Sequence, residues 1–208
     1  MMILSRQREM AKAMSGQMIV TPSAEGIAAS VRAAKGKGLP PVHLWNPPFC
    51  GDLDMRIARD GTWFYQGTPI GRPGLVRLFS TILRKDGDKY FLVTPVEKVG
   101  ITVDDAPFLA VDFEAEGDAQ AQKLTFHTNV GDSVTAGPDT PLRFVRDPET
   151  GEPSPYVMVR AGLEALIDRK SFYRLVELGS DHVVDGVNWF GVWSGGAFFG
   201  IIPSAELP

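Results

Sequence analysis

The sequence of 208 residues holds one cysteine, Cys50, and three histidines, His43, His127 and His182, set far apart. A lone thiol excludes an intrachain disulfide and fits a reducing compartment. The histidines show neither His-x-His nor HExxH spacing, so a structural zinc site finds no ligand set. No apolar run approaches the ~20 residues that a membrane helix requires. Dense Lys/Arg clusters are missing as well, and 21 basic residues face 25 acidic ones for a net charge of −4. Neutralising a phosphate backbone needs a clustered basic surface, so nucleic acid is not the expected partner. The glycines of Ser194-Gly195-Gly196 and Gly200 fall between strands, which excludes a Walker or Rossmann phosphate loop and reads as a hairpin turn.

What is present suffices for a folded core. The apolar fraction is 44%, and the length accommodates one large domain or two small ones. The N-terminal MMILSRQREMAKAM is Met-rich and basic-leaning, and its apolar run is too short for a secretory leader. Met10, Met14 and Met18 could each serve as the true start. Residues 1–22 are therefore expected to be a disordered tail or a mis-assigned start, and the protein is expected to be cytoplasmic.

A first helix is predicted from Ser23, as N-cap, to Ala34, ended by Gly36 and Gly38 ahead of Pro40-Pro41. From Gly51 the pattern alternates: Leu53, Met55 and Ile57 point one way and Asp52, Asp54 and Arg56 the other, as in a half-buried strand. Asp60-Gly61 signals a hairpin returning through Trp63-Phe64-Tyr65. A helix with Pro73 in its first turn carries Leu75, Val76, Leu78, Phe79, Ile82 and Leu83 as an apolar stripe. Strands are predicted at 90–93, 99–103, 107–114, 122–128, 132–136, 142–146, 156–160, 188–193 and 197–202, with a helix over 168–178. Locally paired strands and few helices imply α+β with antiparallel sheets. The expected division is an N-terminal α+β domain over 23–104 and a C-terminal α+β domain over 105–208.

Ile70–Phe79 (IGRPGLVRLF) reappears as Ile167–Val176 (IDRKSFYRLV), with Ile70/Ile167, Arg72/Arg169, Arg77/Arg174 and Leu78/Leu175 identical. One copy falls in each expected domain, which predicts a duplicated unit with a cleft between the halves. At 100° per residue, Arg72 projects with Leu75 and Phe79, and Arg169 with Phe172 and Val176, so both guanidinium groups are expected to face the body of the protein. Arg77 and Arg174 project toward solvent. A cation at a helix start opposes the macrodipole and calls for an anion. That anion is either a carboxylate from a neighbouring strand (Asp52, Asp54 or Glu97) or a phosphate or carboxylate ligand.

Other groupings are weaker. Asp52 and Asp54 share a strand face and could hold a divalent cation, but Arg56 lies there to neutralise them. Cys50 as a nucleophile needs a histidine nearby in space; as a structural residue it is a buried thiol. Trp189, Phe190, Trp193, Phe198 and Phe199 are expected to fill the core or a domain interface, with a base-stacking platform as the lesser alternative.

The block WNPPFCGDLDMRIARDGTWFYQGTPIGRP, then LVRLFSTILRK, then YFLVTPVEKVGITVDDAPF, spans Trp45 to Phe108 and resembles the bacterial DUF1285 family. RAGLEALIDRKSFYRLVELG and the aromatic, Gly-rich end extend the resemblance over most of the chain. It implies a duplicated α+β core, a C-terminal half forming a partial barrel like pleckstrin-homology domains, and a site between the halves for a nucleotide-like ligand in signalling. It carries over no catalytic residue. The function expected is binding of a small anionic, possibly nucleotide-like ligand by a non-enzymatic, sensory protein without a resident cofactor or metal. The expected ligand-binding residues are Arg72, Arg169, Trp45, Asp52 and Glu97. The alternatives are a hydrolase or transferase using Asp52/Asp54 or Cys50, and a homo-oligomeric interaction module.

Overall fold

The computed structural model describes residues 22–33 and 38–207. The expected tail, apart from Pro22, and the predicted helix end at Ala34–Gly36 lie outside the described residues. Helix α1, Ala24–Ala33, starts where Ser23 accepts a hydrogen bond from the Gly26 N–H at 3.1 Å. It buries Ile27, Ala28 and Val31, the helical face that the apolar spacing marks.

Strands β1 (Phe49–Ile57), β2 (Trp63–Tyr65) and β3 (Thr68–Pro69) lead into helix α2 (Pro73–Ser80), and β4 (Leu83–Asp86), β5 (Lys89–Val93) and β6 (Lys98–Val103) follow it. The sheet order is β3-β2-β1-β6-β5-β4. Each trio is an antiparallel meander, and the two meet where β1 runs parallel to β6. Along β1, Leu53, Met55 and Ile57 are buried while Asp52, Asp54 and Arg56 are exposed, as the alternation predicts.

The second sheet repeats that plan. Strands β7 (Phe108–Glu116), β8 (Lys123–Thr128), β9 (Ser133–Thr135), β10 (Leu142–Arg146), β11 (Pro153–Arg160) and β12 (Leu163–Ile167) are arranged β10-β11-β12-β7-β8-β9, with β7 parallel to β12 at the centre. Helix α3 (Arg169–Glu177) comes next, then an antiparallel sheet of β13 (Ser180–Val184), β14 (Val187–Ser194) and β15 (Ala197–Pro203). The fold is thus α+β with two similar six-stranded sheets. The two parallel centre pairs depart from the all-antiparallel sheets expected.

What is doubled is the sheet, and this corrects the meaning of the Ile70–Phe79/Ile167–Val176 match. Both segments contain a helix, but α2 sits between β3 and β4, midway through its sheet, whereas α3 follows the completed second sheet. The segments each open a helix, but they are capped differently and do not occupy equivalent places.

One hydrophobic cluster runs through both halves, joining Trp63, Phe79 and Leu92 of the first with Phe108, Phe126 and Leu163 of the second. Trp63 stacks on Phe79 with ring centroids 6.3 Å apart. Polar clasps reinforce the seam. Arg160 pairs with Asp132, donates to the Ser80 carbonyl at 2.9 Å and lies over the Phe108 ring. Among the described residues no helix is long and apolar enough to cross a membrane.

Four strands, β3, β4, β12 and β13, were not expected from the sequence. The clearest case is β4. The apolar stripe continues through Ile82 and Leu83, yet α2 stops because the Ser80 and Thr81 hydroxyls donate to the Arg77 and Leu78 carbonyls at 2.9 and 2.7 Å. Such local bonds offer the backbone a way out of the helix, and Leu83 enters the sheet instead.

Candidate functional site

The β1–β2 turn of the first sheet and the β11, β12 and α3 segments of the second enclose a groove of about 490 Å³. Its apolar lining comes from Leu109, Pro153, Pro155 and Leu166, and the α3 side contributes Phe172 and Tyr173. Arg59 and Asp60 reach it from the first sheet; Glu152, Asp168 and Arg169 lie along the opposite wall. The volume lies in the range of small-molecule clefts, and a mostly apolar wall with a few polar groups is what such clefts present.

Local bonding fixes this geometry. Asp168 caps α3, accepting from the Ser171 N–H at 2.7 Å, so the helix starts at the groove wall. Asp60 accepts from the Thr62 N–H at 2.9 Å, and that backbone bond holds its carboxyl below the usual carboxylate range. Arg59 places Nε 3.2 Å from Asp105 and donates through Nη2 to Ser154 Oγ at 2.9 Å, tying the first sheet across to β11. Tyr156 donates to Asp105 Oδ1 at 2.8 Å; burial, and then that bond, push the phenol pKa up. Asp105 is therefore the anchor of the seam beside the groove.

The expected ligand residues are not brought together. Arg169 lines the groove on the same side of α3 as Phe172, but its side chain is 74% exposed and pairs with Glu152 at 2.9 Å. Arg72 is exposed at the N-cap of α2, where φ −112° and ψ 98° are extended. The 100° projection does not apply to a residue outside the helix, which is why its inward orientation is corrected. It lies in a separate, small depression against α1, beside Glu25 and Arg32. The duplicated arginines thus do not share a cleft.

Asp52 is exposed on β1 with its carboxylate over Gly100, in a third depression formed with β5 and β6. Trp45 is half-buried, and its carbonyl accepts from Arg84 Nη1 at 2.7 Å. Glu97 is half-buried beyond β5, and burial raises its carboxyl pKa.

Asp54 is exposed with Asp52, but the Arg56 expected to neutralise them pairs with Asp104 at 2.5 Å and lies over the Phe64 ring. Cys50 is exposed, which corrects its reading as a buried thiol; its position at the start of β1, beside Pro48, leaves it uncovered. Arg174, expected to be free in solvent, pairs with Asp112 and lies over Phe113, fastening α3 to β7. Among the described residues no three His, Cys, Asp or Glu side chains are grouped to hold a metal ion.

The groove residues missed from sequence are Arg59, Ser154 and Tyr173, and Phe172 is placed beside Arg169 on the helix face but not as part of a site. The Asp60-Gly61 turn signal lies next to Arg59, and the predicted helix face shared by Arg169 and Phe172 lies next to Tyr173, but neither marks a groove. The convergence of these residues depends on the parallel β7–β12 pairing, which nothing local encodes.

Comparison with known proteins agrees with this architecture. Residues 40–106 match the family model described as "Domain of unknown function (DUF1285), N-terminal domain", and residues 107–201 match "Protein of unknown function (DUF1285), C-terminal domain". The crystal structure of a DUF1285 family protein from Silicibacter pomeroyi DSS-3 is 66% identical, with TM-score 0.80, and the similarity covers 88% of this chain and 98% of that one. A DUF1285 family protein from Shewanella baltica OS155 is 31% identical over 60% of this chain and 91% of its own, with TM-score 0.49. No curated protein matches the sequence.

Proposed function

The chain belongs to the DUF1285 family, and we propose that it is a non-enzymatic, cytoplasmic ligand-binding protein of sensory type. Its site is the groove between the two sheets, and its ligand is a small anionic molecule with a planar ring, of nucleotide-like character. The observation that carries this reading is the placement of Arg169 at the groove rim beside Phe172 and Tyr173. A guanidinium there meets an anion, and the aromatic side chains offer a surface to a ring.

The exposed Arg169–Glu152 pair is weakly held, because exposed ion pairs contribute roughly 0–1 kcal/mol. An incoming phosphate or carboxylate can exchange with Glu152 at little cost. The lone thiol of Cys50 supports the cytoplasmic location. The reading of the C-terminal half as pleckstrin-homology-like, with a role in signal transduction, belongs to the same proposal; strands β7–β12 followed by a single helix support it.

Thermal-shift measurements against a panel of nucleoside mono-, di- and triphosphates and cyclic nucleotides test the reading. A ligand that binds the folded state raises Tm as its concentration rises above Kd. Arg169→Ala is expected to abolish the shift, whereas Asp52→Ala, in another depression, keeps it. If no nucleotide moves Tm, or if Arg169→Ala responds like the wild type, the proposal is wrong.

A further inference from the structure

Strand β13 differs from the other outer strands in what guards it. An unpaired strand edge presents free N–H and C=O groups and invites another strand, so proteins shorten, block or cover such edges. Edge strand β3 is two residues long and ends in Pro69. Edge strand β4 is flanked by the 3₁₀ turn Val42–Leu44, held through Arg84 donating to the Val42 and Trp45 carbonyls. Strand β9 has only three residues. Strands β10 and β15 pack on each other, with Arg146 bonded to Glu206 just beyond β15.

No such device protects β13 among the described residues. Its five residues, Ser-Asp-His-Val-Val, pair with β14 without a register shift, and they include no proline and no lysine. Apolar side chains are exposed along it and across its turn: Val183 at 60%, with Val184 and Val187 also exposed. On the same face as His182, the rings of Trp193 and Phe198 pack with it at 4.8 and 4.9 Å, while Val192 and Ile201 turn to the core.

We propose that β13 is a self-association edge: two copies of the chain join β13 to β13 about a two-fold axis, forming a continuous six-stranded antiparallel sheet. The charge pattern of β13 is compatible with a second copy of itself, and it selects the register. With His182 opposite itself, Ser180 faces Val184 and Asp181 faces Val183, and no like charges meet. Moving the axis to Asp181 sets carboxylate against carboxylate, and moving it to Val183 sets Asp181 against Asp185; like charges directly opposite are destabilising. Asp181 is moreover engaged by the Ser204 hydroxyl. A closed two-fold contact uses up the edge in each copy and stops at the dimer.

Sedimentation velocity of the full-length chain, from a few micromolar to several hundred micromolar, reads this directly. The expected result is a monomer–dimer equilibrium that Val183→Asp, which sets a carboxylate opposite Asp181 of the second copy, shifts to monomer at every concentration without changing the circular dichroism spectrum. In a Cys50→Ser background, mild oxidation is expected to link His182→Cys into a covalent dimer and to leave Val184→Cys uncrosslinked. A full-length chain that stays monomeric throughout overturns the proposal, whether residues 1–21 or another protein covers the edge. So does a dimer indifferent to Val183→Asp, or equal crosslinking at both cysteine positions.

Discussion

The two six-stranded sheets have the same strand order and the same parallel centre, yet they acquire their helices differently. In the first, α2 interrupts the chain between the two meanders and packs beside α1. In the second, both meanders close first, and α3 then lies against β7 and β14. The helix starts differ too: Asp168 caps α3 through its side chain, whereas Arg72 at the same place on α2 makes no cap hydrogen bond. A sheet plan can therefore be copied while its helix cover is supplied anew. Short sequence matches between helices say little about which parts of two halves correspond.

The strongest way to break the comparison is to hollow each half's core. Phe79→Ala in the first and Phe126→Ala in the second each remove a fully buried ring and are expected to cost about 3–5 kcal/mol. Because one apolar cluster spans both halves, either change should lower the midpoint of a single guanidinium unfolding transition. Two transitions, only one of which moves, would mean that the halves unfold independently.

Next in size is the clasp between the halves. Arg160→Ala leaves Asp132 and the Ser80 carbonyl without their shared donor, for an expected loss of about 2–3 kcal/mol. Chemical denaturation of this variant against Arg146→Ala, which loses only an exposed pair with Glu206 and about 0–1 kcal/mol, sets a partly buried network that reaches across the seam to Ser80 against an exposed pair within the second half.

The contrast in helix capping gives a finer measure. Asp168→Ala should destabilise by about 1 kcal/mol through loss of the cap. Arg72→Ala should be near neutral, since its side chain caps nothing. Equal losses in the two variants would make the capping difference immaterial.

The smallest effect separates the sheets by pH. Burial tends to raise the Asp86 carboxyl pKa, but bonds from Lys98 and Arg84 overcome it, and the folded-state pKa is lowered. A lowered carboxylate pKa contributes stability above the unfolded value near 3.9, and that contribution is lost as pH falls through the folded value. The stability gap between wild type and Asp86→Asn should thus narrow below about pH 4. Denaturation series from neutral to acid pH would show it.

Much of this fold could be read from the chain. The alternation Leu53-Met55-Ile57, the Asp60-Gly61 turn and the paired strands β14 and β15 follow from side-chain period and turn chemistry alone. The short strands were hidden for physical reasons. Leu83–Asp86 extends an apolar helix pattern and becomes a strand only through hydroxyl bonds at Ser80 and Thr81, and Leu163–Ile167 pairs with β7 across a long stretch of sequence. The groove was less legible still. Its position at the seam and Arg169 were within reach, but Arg59, Ser154 and Tyr173 converge by tertiary placement. Arg72 is the cap of α2 with extended backbone angles, so the helical period does not set its direction.

Since each sheet's first strand lies beside its last, neither half can seal its centre until its final segment has left the ribosome. β1 waits for Lys98–Val103, and β7 for Leu163–Ile167. Until then both middle strands expose their inner edges to the cell, so the slow stage in making this protein should fall at those two late arrivals, where a chaperone would have the most to shield.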